Sequence, residues 1–314
     1  MAKMAIIGTG NVGATLALLT LQRELAEVVL LDIVPGLAQG KALDLAQAGP
    51  VLRYDSRIKG TEKYEDIAGS ALVVITAGLA RKPGMSRADL LDKNSRIISQ
   101  VAGRVKEFAP EAIILVVTNP LDVMAYVVMK RTGFPSKRVL GMAGVLDTAR
   151  FRFFIAQELG VAQKDVEAMV LGSHGDRMVP LAGGSTVKGR PLSKALSQAK
   201  IEALIQRTRE AGAEIVGLLK ESSAFYAPAA SVLLMAEAML KDKKQVLPAS
   251  VFARGEYGLE DVFIGLPARL GREGVEEIIE IDLLPSELKA LHKSAQELKA
   301  IMARLPKDLF EAQE

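Results

Sequence analysis

The glycine-rich segment AIIGTGNVGA at positions 5–14 constrains the fold more than any other part of the chain. Gly8, Gly10 and Gly13 have the spacing G-x-G-x-x-G, between an apolar run that predicts a buried strand and a following run that predicts a helix. In this setting the first glycine permits the tight turn, the second lets the backbone approach a pyrophosphate, and the third allows close helix–strand packing. The segment therefore predicts a dinucleotide-binding turn, with the pyrophosphate at the helix N-terminus.

An acidic residue follows the next predicted strand at the spacing that this type of fold requires. The apolar run at 28–31 ends at Asp32, about 20 residues beyond the glycines. A carboxylate at that position accepts hydrogen bonds from a ribose 2′-hydroxyl and repels a 2′-phosphate, so we expect NAD rather than NADP. The alternative is an ordinary glycine turn followed by a solvated aspartate, and it is weakened because strand, helix and acid all fall in register.

Further apolar runs alternate with helix-like stretches, which is typical of βαβ units and a parallel sheet. Near position 145 the pattern changes to a helix, one strand and long amphipathic helices. We therefore predict an α/β fold: a Rossmann, doubly wound parallel sheet in residues 1–145, followed by a second, α+β substrate domain in residues 146–314. A cleft between the two is the expected place for a site. The runs that predict strands are 72–76, 112–118, 138–142 and 165–172, and the long helices are predicted at 200–220 and 285–305.

Composition excludes several classes of function. The chain has 40 basic and 37 acidic residues, mixed along its 314 positions, so nothing indicates a nucleic-acid partner. Without cysteine it has no disulfide and no thiolate metal site, and we predict no metal. No charge-free apolar run of 18 residues predicts a membrane span. Because the first strand begins after only four residues, we expect no secretory signal and a cytoplasmic location.

The chain contains two histidines, His174 and His292. His174 lies in LGSHGD, just beyond a predicted strand, where an imidazole can enter a cleft and serve as a general acid and base near neutral pH. His292 lies in a charged amphipathic helix, which favours a packing role. A carboxylate should hold the second ring nitrogen of His174, and the sequence offers two candidates, Asp147 and Asp176.

Arginines near the same predicted strand ends indicate an anionic substrate. The segment at 78–94 carries Arg81 and Arg87, and Arg150 follows Asp147 by one helical turn. A guanidinium matches a carboxylate through two parallel hydrogen bonds, so one substrate carboxylate would satisfy Arg150 and a second would explain Arg81. The alternative for the segment at 78–94 is a solvated charged loop without a ligand.

Together these motifs resemble the lactate/malate dehydrogenase superfamily over nearly the whole chain. The resemblance implies that His174 donates and accepts the proton, with Asp147 as its partner. It also implies that Arg150 binds the substrate carboxylate, that Arg87 polarises the carbonyl, and that Arg81 selects a second carboxylate where lactate enzymes carry glutamine. The motifs that carry the resemblance are GTGNVG, LLD, TAGLARKPGMSRADLL, VVTNPLDVM, GMAGVLDTAR and GSHGD.

The resemblance further implies how cofactor and substrate are surrounded. Asn119 would contact the nicotinamide ribose and the substrate, residues 79–93 would form a mobile lid, and either Ser223 or Ala224 would face the substrate. The small dicarboxylate would be malate or oxaloacetate, as in the tricarboxylic acid cycle, with lactate as the alternative substrate. A homotetramer or homodimer is implied, with the tetramer favoured. The remaining cofactor contacts would come from Gly8, Gly10, Asn11, Val12, Gly13, Asp32, Asn94 and Val117.

Two other classes of protein use a similar cofactor fold. An NAD-using glycosidase would need a metal held partly by cysteine, which this chain lacks. A non-catalytic NAD sensor would have no use for a proton shuttle, so the set of Asp147, Arg150 and His174 argues against it. We therefore expect an oxidoreductase.

Overall fold

The computed structural model describes residues 1–79 and 87–310, and of Arg87 it describes the backbone alone. Arg81 and the other residues of the predicted lid from 80 to 86 lie outside the described residues. The strands are β1 (Lys3–Ile7), β2 (Glu27–Leu31), β3 (Ile58–Thr61), β4 (Leu72–Ile75), β5 (Ile113–Val116), β6 (Val139–Gly141), β7 (Val166–Glu167), β8 (Val170–Gly172), β9 (Met178–Pro180), β10 (Thr186–Val187), β11 (Arg190–Pro191), β12 (Gln245–Arg254), β13 (Glu260–Gly271) and β14 (Gly274–Ile278).

The helices flank these strands, and the two long helices predicted at 200–220 and 285–305 are found as α7 and α9, within a few residues of those bounds. They are α1 (Asn11–Gln22), α2 (Leu37–Leu52), α3 (Arg87–Phe108), α4 (Leu121–Thr132), α5 (Gly144–Leu159), α6 (Leu192–Ala195), α7 (Gln198–Leu219), α8 (Tyr226–Leu240) and α9 (Pro285–Met302).

The first six strands form a parallel sheet in the order β3-β2-β1-β4-β5-β6. This is the doubly wound order of a dinucleotide-binding fold, and it confirms the predicted fold class. Strand β1 lies at the centre and is buried on both faces, with Met4, Ala5 and Ile6 fully enclosed. Burial on both faces explains why these strands are continuous apolar runs rather than alternating patterns.

The same sheet continues into the second half of the chain. Beyond β6 it runs β12-β13-β8-β9, all antiparallel to their neighbours, and Ser250 of β12 pairs with Gly141 of β6. The main hydrophobic core is accordingly continuous along both halves. The predicted boundary at 145/146 falls inside the first turn of α5.

The single strand predicted over residues 165–172 is wrong. The chain forms two short strands there: β7 pairs with β10 in a separate three-stranded sheet, and β8 pairs with β9 and β13 in the main sheet. Between them Met169 leaves the ladder, and its carbonyl accepts a hydrogen bond from the Leu181 amide at 2.9 Å. The run itself cannot reveal such a change of partner, because the strands that pair with β7 and β8 lie at different positions later in the chain.

The C-terminal segment returns to the first half of the molecule. A short 3-10 turn at Lys307–Phe310 packs on α3 and α4. Asp308 Oδ2 lies 3.1 Å from Arg96 Nη1, the Ser99 hydroxyl donates to the Leu309 carbonyl, and the Phe310 and Tyr126 rings meet edge to face at 6.2 Å. The last described residues thereby cover the two helices that follow β4 and β5 in the chain.

Candidate active site

The three glycines of the first turn are required for different physical reasons. Gly8 has φ +100°, and a Cβ there would lie 2.5 Å from the Ala77 amide nitrogen. A Cβ on Gly13 would lie 2.1 Å from the Gly8 carbonyl oxygen, so only glycine lets α1 approach the turn this closely. A Cβ on Gly10 would meet nothing within 4 Å. Gly10 therefore borders open space, which is where the predicted pyrophosphate would approach the backbone.

Helix α1 presents its N-terminus to the same open space. Its cap is Gly10, which has no side chain to satisfy the first amides, and the earliest helical bond runs from Ala14 N to Gly10 O at 2.9 Å. The amides of Asn11, Val12 and Gly13 therefore have no partner within the helix and can receive an anion. The turn fits the phosphate groups of a dinucleotide.

Asp32 lies at the end of β2 beside this turn. Its Oδ2 accepts hydrogen bonds from the Thr9 amide at 2.7 Å and the Thr9 hydroxyl at 2.8 Å, and Oδ1 accepts one from the Val34 amide at 3.1 Å. Burial acts to raise the pKa of Asp32, but these hydrogen bonds outweigh it and the pKa is lowered. Asp32 is therefore an anion at neutral pH, held in place beside the glycine turn.

Lys41 on α2 also contacts the glycine turn, and the sequence did not predict this contact. Its ammonium group donates a hydrogen bond to the Thr9 carbonyl, so a cation lies against the glycine turn. Nothing in the pattern of α2 distinguishes Lys41 from a solvated lysine, and only the packing of α2 against α1 shows its position.

His174, Asp147 and Arg150 come together beside the end of β8. The loop between β8 and β9 carries His174, whose Nδ1 lies 2.8 Å from Asp147 Oδ2. The second carboxylate oxygen of Asp147 accepts a hydrogen bond from Arg150 Nη1 at 3.3 Å, one turn along α5. Side-chain exposure is 2% for Asp147, 13% for Arg150 and 15% for His174. Of the two carboxylates that the sequence offers, Asp147 is the one observed against the imidazole.

This arrangement favours the protonated imidazole. Burial acts to lower the pKa of His174, but the charge and hydrogen bond of Asp147 outweigh burial, and the pKa is raised above its usual value although Arg150 opposes the shift. Because Nδ1 is engaged by Asp147, Nε2 is the ring nitrogen available to a substrate. The pair can therefore accept a proton at Nε2 and stabilise the imidazolium that results.

Two further contacts fix the loop that carries His174, and neither was predicted. The His174 amide donates to Asp122 Oδ2 at 3.0 Å, and the Ser173 amide donates to the Ser294 hydroxyl at 2.9 Å. Asp122 is 3% exposed and Ser294 1%. Burial raises the pKa of Asp122 to about 6, although the Ser250 hydroxyl and the His174 amide act to lower it.

The cofactor contacts predicted beyond the glycine turn lie near the carboxyl ends of β4 and β5. Asn119 is exposed there, while Val117 is buried. Asn94 is fully buried and its amide group contacts backbone: Oδ1 accepts from Leu79 N at 2.8 Å, and Nδ2 donates to Leu79 O at 3.2 Å and Asn119 O at 2.7 Å. The observed contacts of Asn94 thus join the two loops that follow these strands.

The connection between α7 and α8 approaches the glycine turn from the second half of the chain. Asn11 Nδ2 lies 3.4 Å from Ser222 Oγ, and the next two residues are an exposed Ser223 and a half-buried Ala224.

Arg87, the residue predicted to polarise the carbonyl, is the first residue of α3. Within residues 1–79 and 87–310, no group of three or more metal-ligating side chains could hold a metal ion.

Family models match both halves of the sequence. The model for the lactate/malate dehydrogenase NAD-binding domain matches residues 2–141, and the model for the alpha/beta C-terminal domain of the same family matches residues 144–307. The chain belongs to the lactate/malate dehydrogenase family. It is therefore an oxidoreductase whose first half is an NAD-binding domain, and the glycine turn, the α1 N-terminus and Asp32 are the features of this chain that fit NAD.

Two relatives within this family are similar to this chain along almost their whole length. A malate dehydrogenase of Methanosarcina acetivorans is 52% identical, with 97% of this chain and 99% of the relative covered. A malate dehydrogenase of Pelodictyon phaeoclathratiforme is 54% identical, with coverages of 93% and 95%.

Solved structures of the family have the same fold. The malate dehydrogenase of Cryptosporidium parvum superposes with a TM-score of 0.94 at 41% identity, covering 97% of this chain and 98% of that one. The lactate dehydrogenase of the same organism, solved with lactic acid and nicotinamide adenine dinucleotide, also gives 0.94, at 43% identity and coverages of 97% and 99%. Among the helices of the described residues, none is both long and apolar enough to span a membrane.

Proposed function

We propose that the chain is an NAD-dependent malate dehydrogenase that interconverts (S)-malate and oxaloacetate. The observation that carries the proposal is the buried pair of His174 Nδ1 and Asp147 Oδ2, 2.8 Å apart, with Arg150 on the other oxygen of Asp147. Relatives at 52–54% identity that are named malate dehydrogenases support the choice of substrate.

The proposed proton transfer uses the free nitrogen of His174. In malate oxidation, Nε2 takes the proton of the C2 hydroxyl while the C2–H bond breaks, and the C2–O bond becomes a carbonyl. When bound, NAD⁺ would accept the hydride from C2, and NADH would supply it in the reverse direction. In oxaloacetate reduction, the imidazolium returns its proton to the carbonyl oxygen. Asp147 stabilises the positive charge on His174 throughout, because its carboxylate stays at Nδ1.

Arg150 is proposed to bind the carboxylate next to the reacting carbon. Its guanidinium is mostly buried, and Nη1 is oriented by Asp147 at 3.3 Å. Helix α7 passes beside it at Gly212, where a Cβ would lie 3.8 Å from Arg150 Nη2, an ordinary van der Waals distance. Asp147 therefore supplies the contact that orients the guanidinium. A planar donor fixed in this way can take a carboxylate through two parallel hydrogen bonds.

Selection of a dicarboxylate is proposed to depend on Arg81, with Arg87 acting on the substrate carbonyl. Both proposals rest on the sequence, since Arg81 and the Arg87 side chain lie outside the described residues. Lactate remains the second candidate substrate, because a lactate dehydrogenase is 43% identical with a TM-score of 0.94. An unpaired guanidinium enclosed with pyruvate would cost about 3–5 kcal/mol, which corresponds to a preference for oxaloacetate of about 10² to 10³ or more.

The test is a set of initial rates with oxaloacetate and with pyruvate, each with NADH and NADPH. We expect oxaloacetate with NADH to give the largest kcat/KM, and Arg81→Gln to reduce the oxaloacetate/pyruvate ratio steeply. Arg87→Gln is the matched control, since it should affect both substrates alike. Preference for pyruvate in the wild type would overturn the malate assignment, and a ratio unchanged in Arg81→Gln would overturn the role of Arg81.

We also propose a homo-oligomer, with a tetramer favoured over a dimer, a cytoplasmic location, a role in the tricarboxylic acid cycle and a domain boundary at 145/146. The family models support two domains by meeting between residues 141 and 144. Mass measurement in solution tests the subunit number, and cell fractionation tests the location.

A further inference from the structure

Helices α4 and α5 each place one buried carboxylate, from the first turn of the helix, in contact with His174. Asp147 lies in the first turn of α5 and Asp122 in the first turn of α4, and they are 1% and 3% exposed. Asp147 contacts the imidazole at Nδ1, whereas Asp122 contacts the main-chain amide of the same residue. The positive ends of two helix dipoles favour both anions there.

Burying a charged carboxylate costs more free energy than burying a neutral group that could accept the same hydrogen bond from a backbone amide. Ser294 holds the neighbouring amide of Ser173 with a neutral hydroxyl at 2.9 Å, and the geometry at His174 is similar at 3.0 Å. A buried charge costs several kcal/mol unless it is well paired, and Asp122 Oδ1 has no hydrogen-bond partner of good geometry. Holding the loop in place therefore does not account for a carboxylate at position 122.

We propose that Asp122 is a positioning residue of the reaction, which holds the His174 main chain and whose negative charge, added to that of Asp147, stabilises the imidazolium of His174. The inference deepens the proposed function, because it rests on His174 as the proton carrier. Asp122 itself acts through His174 and is not assigned any contact with substrate.

The charges around His174 support a role for Asp122 in addition to that of Asp147. Among the described residues, the charged groups that act on His174 are Asp147 and Arg150 from α5 and Asp122 from α4; the two carboxylates raise the pKa of His174 and the guanidinium lowers it. Asp122 is influenced in turn by His174, which lowers its pKa, and by Asp147, which raises it. With a pKa of about 6, Asp122 loses its charge in mildly acidic solution, and the protonation of the two groups is then linked.

The experiment is an NMR titration of the intact protein labelled with ¹³C at histidine Cε1. The chain has two histidines, so a His292→Asn variant assigns the spectrum. In the wild type we expect the His174 signal to show its main inflection and a second one near pH 6 from Asp122. Asp122→Asn keeps an oxygen that can accept the His174 amide but removes the charge, so the second inflection should disappear and the main midpoint should fall by on the order of 0.5 to 1 pH unit.

Ser294→Ala is the matched control, because it removes the support of the adjacent amide without changing a charge. Its His174 midpoint should equal that of the wild type. Equal shifts in both variants would show that Asp122 only holds the loop, and an unchanged midpoint in Asp122→Asn would show that its charge does not reach His174; either result overturns the proposal. If Asp122→Asn does not fold, a wild-type signal without the inflection near pH 6 overturns it.

Kinetics give a second readout that loop support alone would not change. The proton donor in oxaloacetate reduction is the imidazolium, so in Asp122→Asn the fall of kcat at alkaline pH should begin at lower pH, with little change in KM. A chain that proves inactive with malate and oxaloacetate would refute the proposed function and leave the NMR titration as an independent measurement.

Discussion

The free energy of unfolding of Asp122→Asn should exceed that of the wild type by an amount that grows with pH. In the folded chain the pKa of Asp122 is about 6, against 3.8 for an unburied aspartate. Below pH 3.8 both states hold the proton and the difference is absent. Between these values the unfolded chain releases the proton while the folded chain keeps it, so the wild type loses stability as pH rises, and above pH 6 the loss is constant.

The magnitude follows from the size of this pKa difference. A difference of about 2 pKa units corresponds to about 3 kcal/mol of destabilisation at pH 7, and about 1.4 kcal/mol of it develops between pH 5 and pH 7. Asparagine does not ionise, so the variant lacks this pH-dependent destabilisation. The protein would thus tolerate a destabilising carboxylate at this position in exchange for the charge it places beside His174.

The assay is equilibrium urea unfolding at fixed protein concentration for the wild type, Asp122→Asn and Ser294→Ala, at half-unit steps from pH 5 to pH 7.5. The difference between Asp122→Asn and the wild type should rise over this range and then level off, whereas the difference for Ser294→Ala should not change with pH. A pH-independent difference for Asp122→Asn would refute the reasoning, since it would mean that the folded state does not raise the pKa of this carboxyl group.

Four further predictions concern the site itself. Asp147→Asn should lower the rate of oxaloacetate reduction at pH 8 by about 10² or more and move its alkaline limb to lower pH, while Asp176→Asn should not move the limb; the opposite outcome in a pH–rate comparison would make Asp176 the partner. Asp32→Ala should weaken the binding of NADH and strengthen the binding of NADPH, and each 1.4 kcal/mol of changed binding free energy corresponds to a tenfold change in Kd. Fluorescence titrations that show an unchanged ratio of the two Kd values would remove Asp32 from the ribose site. Gly13→Ala should cost about 1–3 kcal/mol in thermal unfolding because its Cβ meets the Gly8 carbonyl. Gly10→Ala should unfold like the wild type yet bind NADH more weakly, and normal binding would show that the cofactor backbone does not approach Gly10.

Local patterns were sufficient to predict the first half of the fold. The glycine turn, the apolar strands and Asp32 lie close together in the sequence, and each constrains the backbone within a few residues. Gly8, for example, has φ +100°, a backbone conformation that favours glycine and belongs to the turn itself. The continuation of the sheet from β6 to β12 could not be predicted in this way, because residues more than 100 positions apart pair there.

The site shows the same contrast between local and distant information. Sequence distance would favour Asp176, two positions from His174, yet the partner observed is Asp147, because α5 points its first turn at the loop. Asp122 was missed since an acidic residue in the first turn of a helix is common and usually solvated. Asn94 was predicted as a cofactor contact from the resemblance alone, and its buried contacts with two loops became visible only in the folded chain.

The return of the C-terminal turn to α3 and α4 also affects how the protein must be made. During synthesis the parallel half emerges first. The partner of Ser99, Leu309, is added 210 positions later, and Phe310, which packs on Tyr126, follows directly. The outer edge of β6 likewise stays unpaired until β12 emerges. A nascent chain that stalls between these points carries an open strand edge and an uncovered aromatic face, both of which promote aggregation. The packing of the NAD-binding half is therefore complete only after β12 and the turn at Lys307–Phe310 have been made.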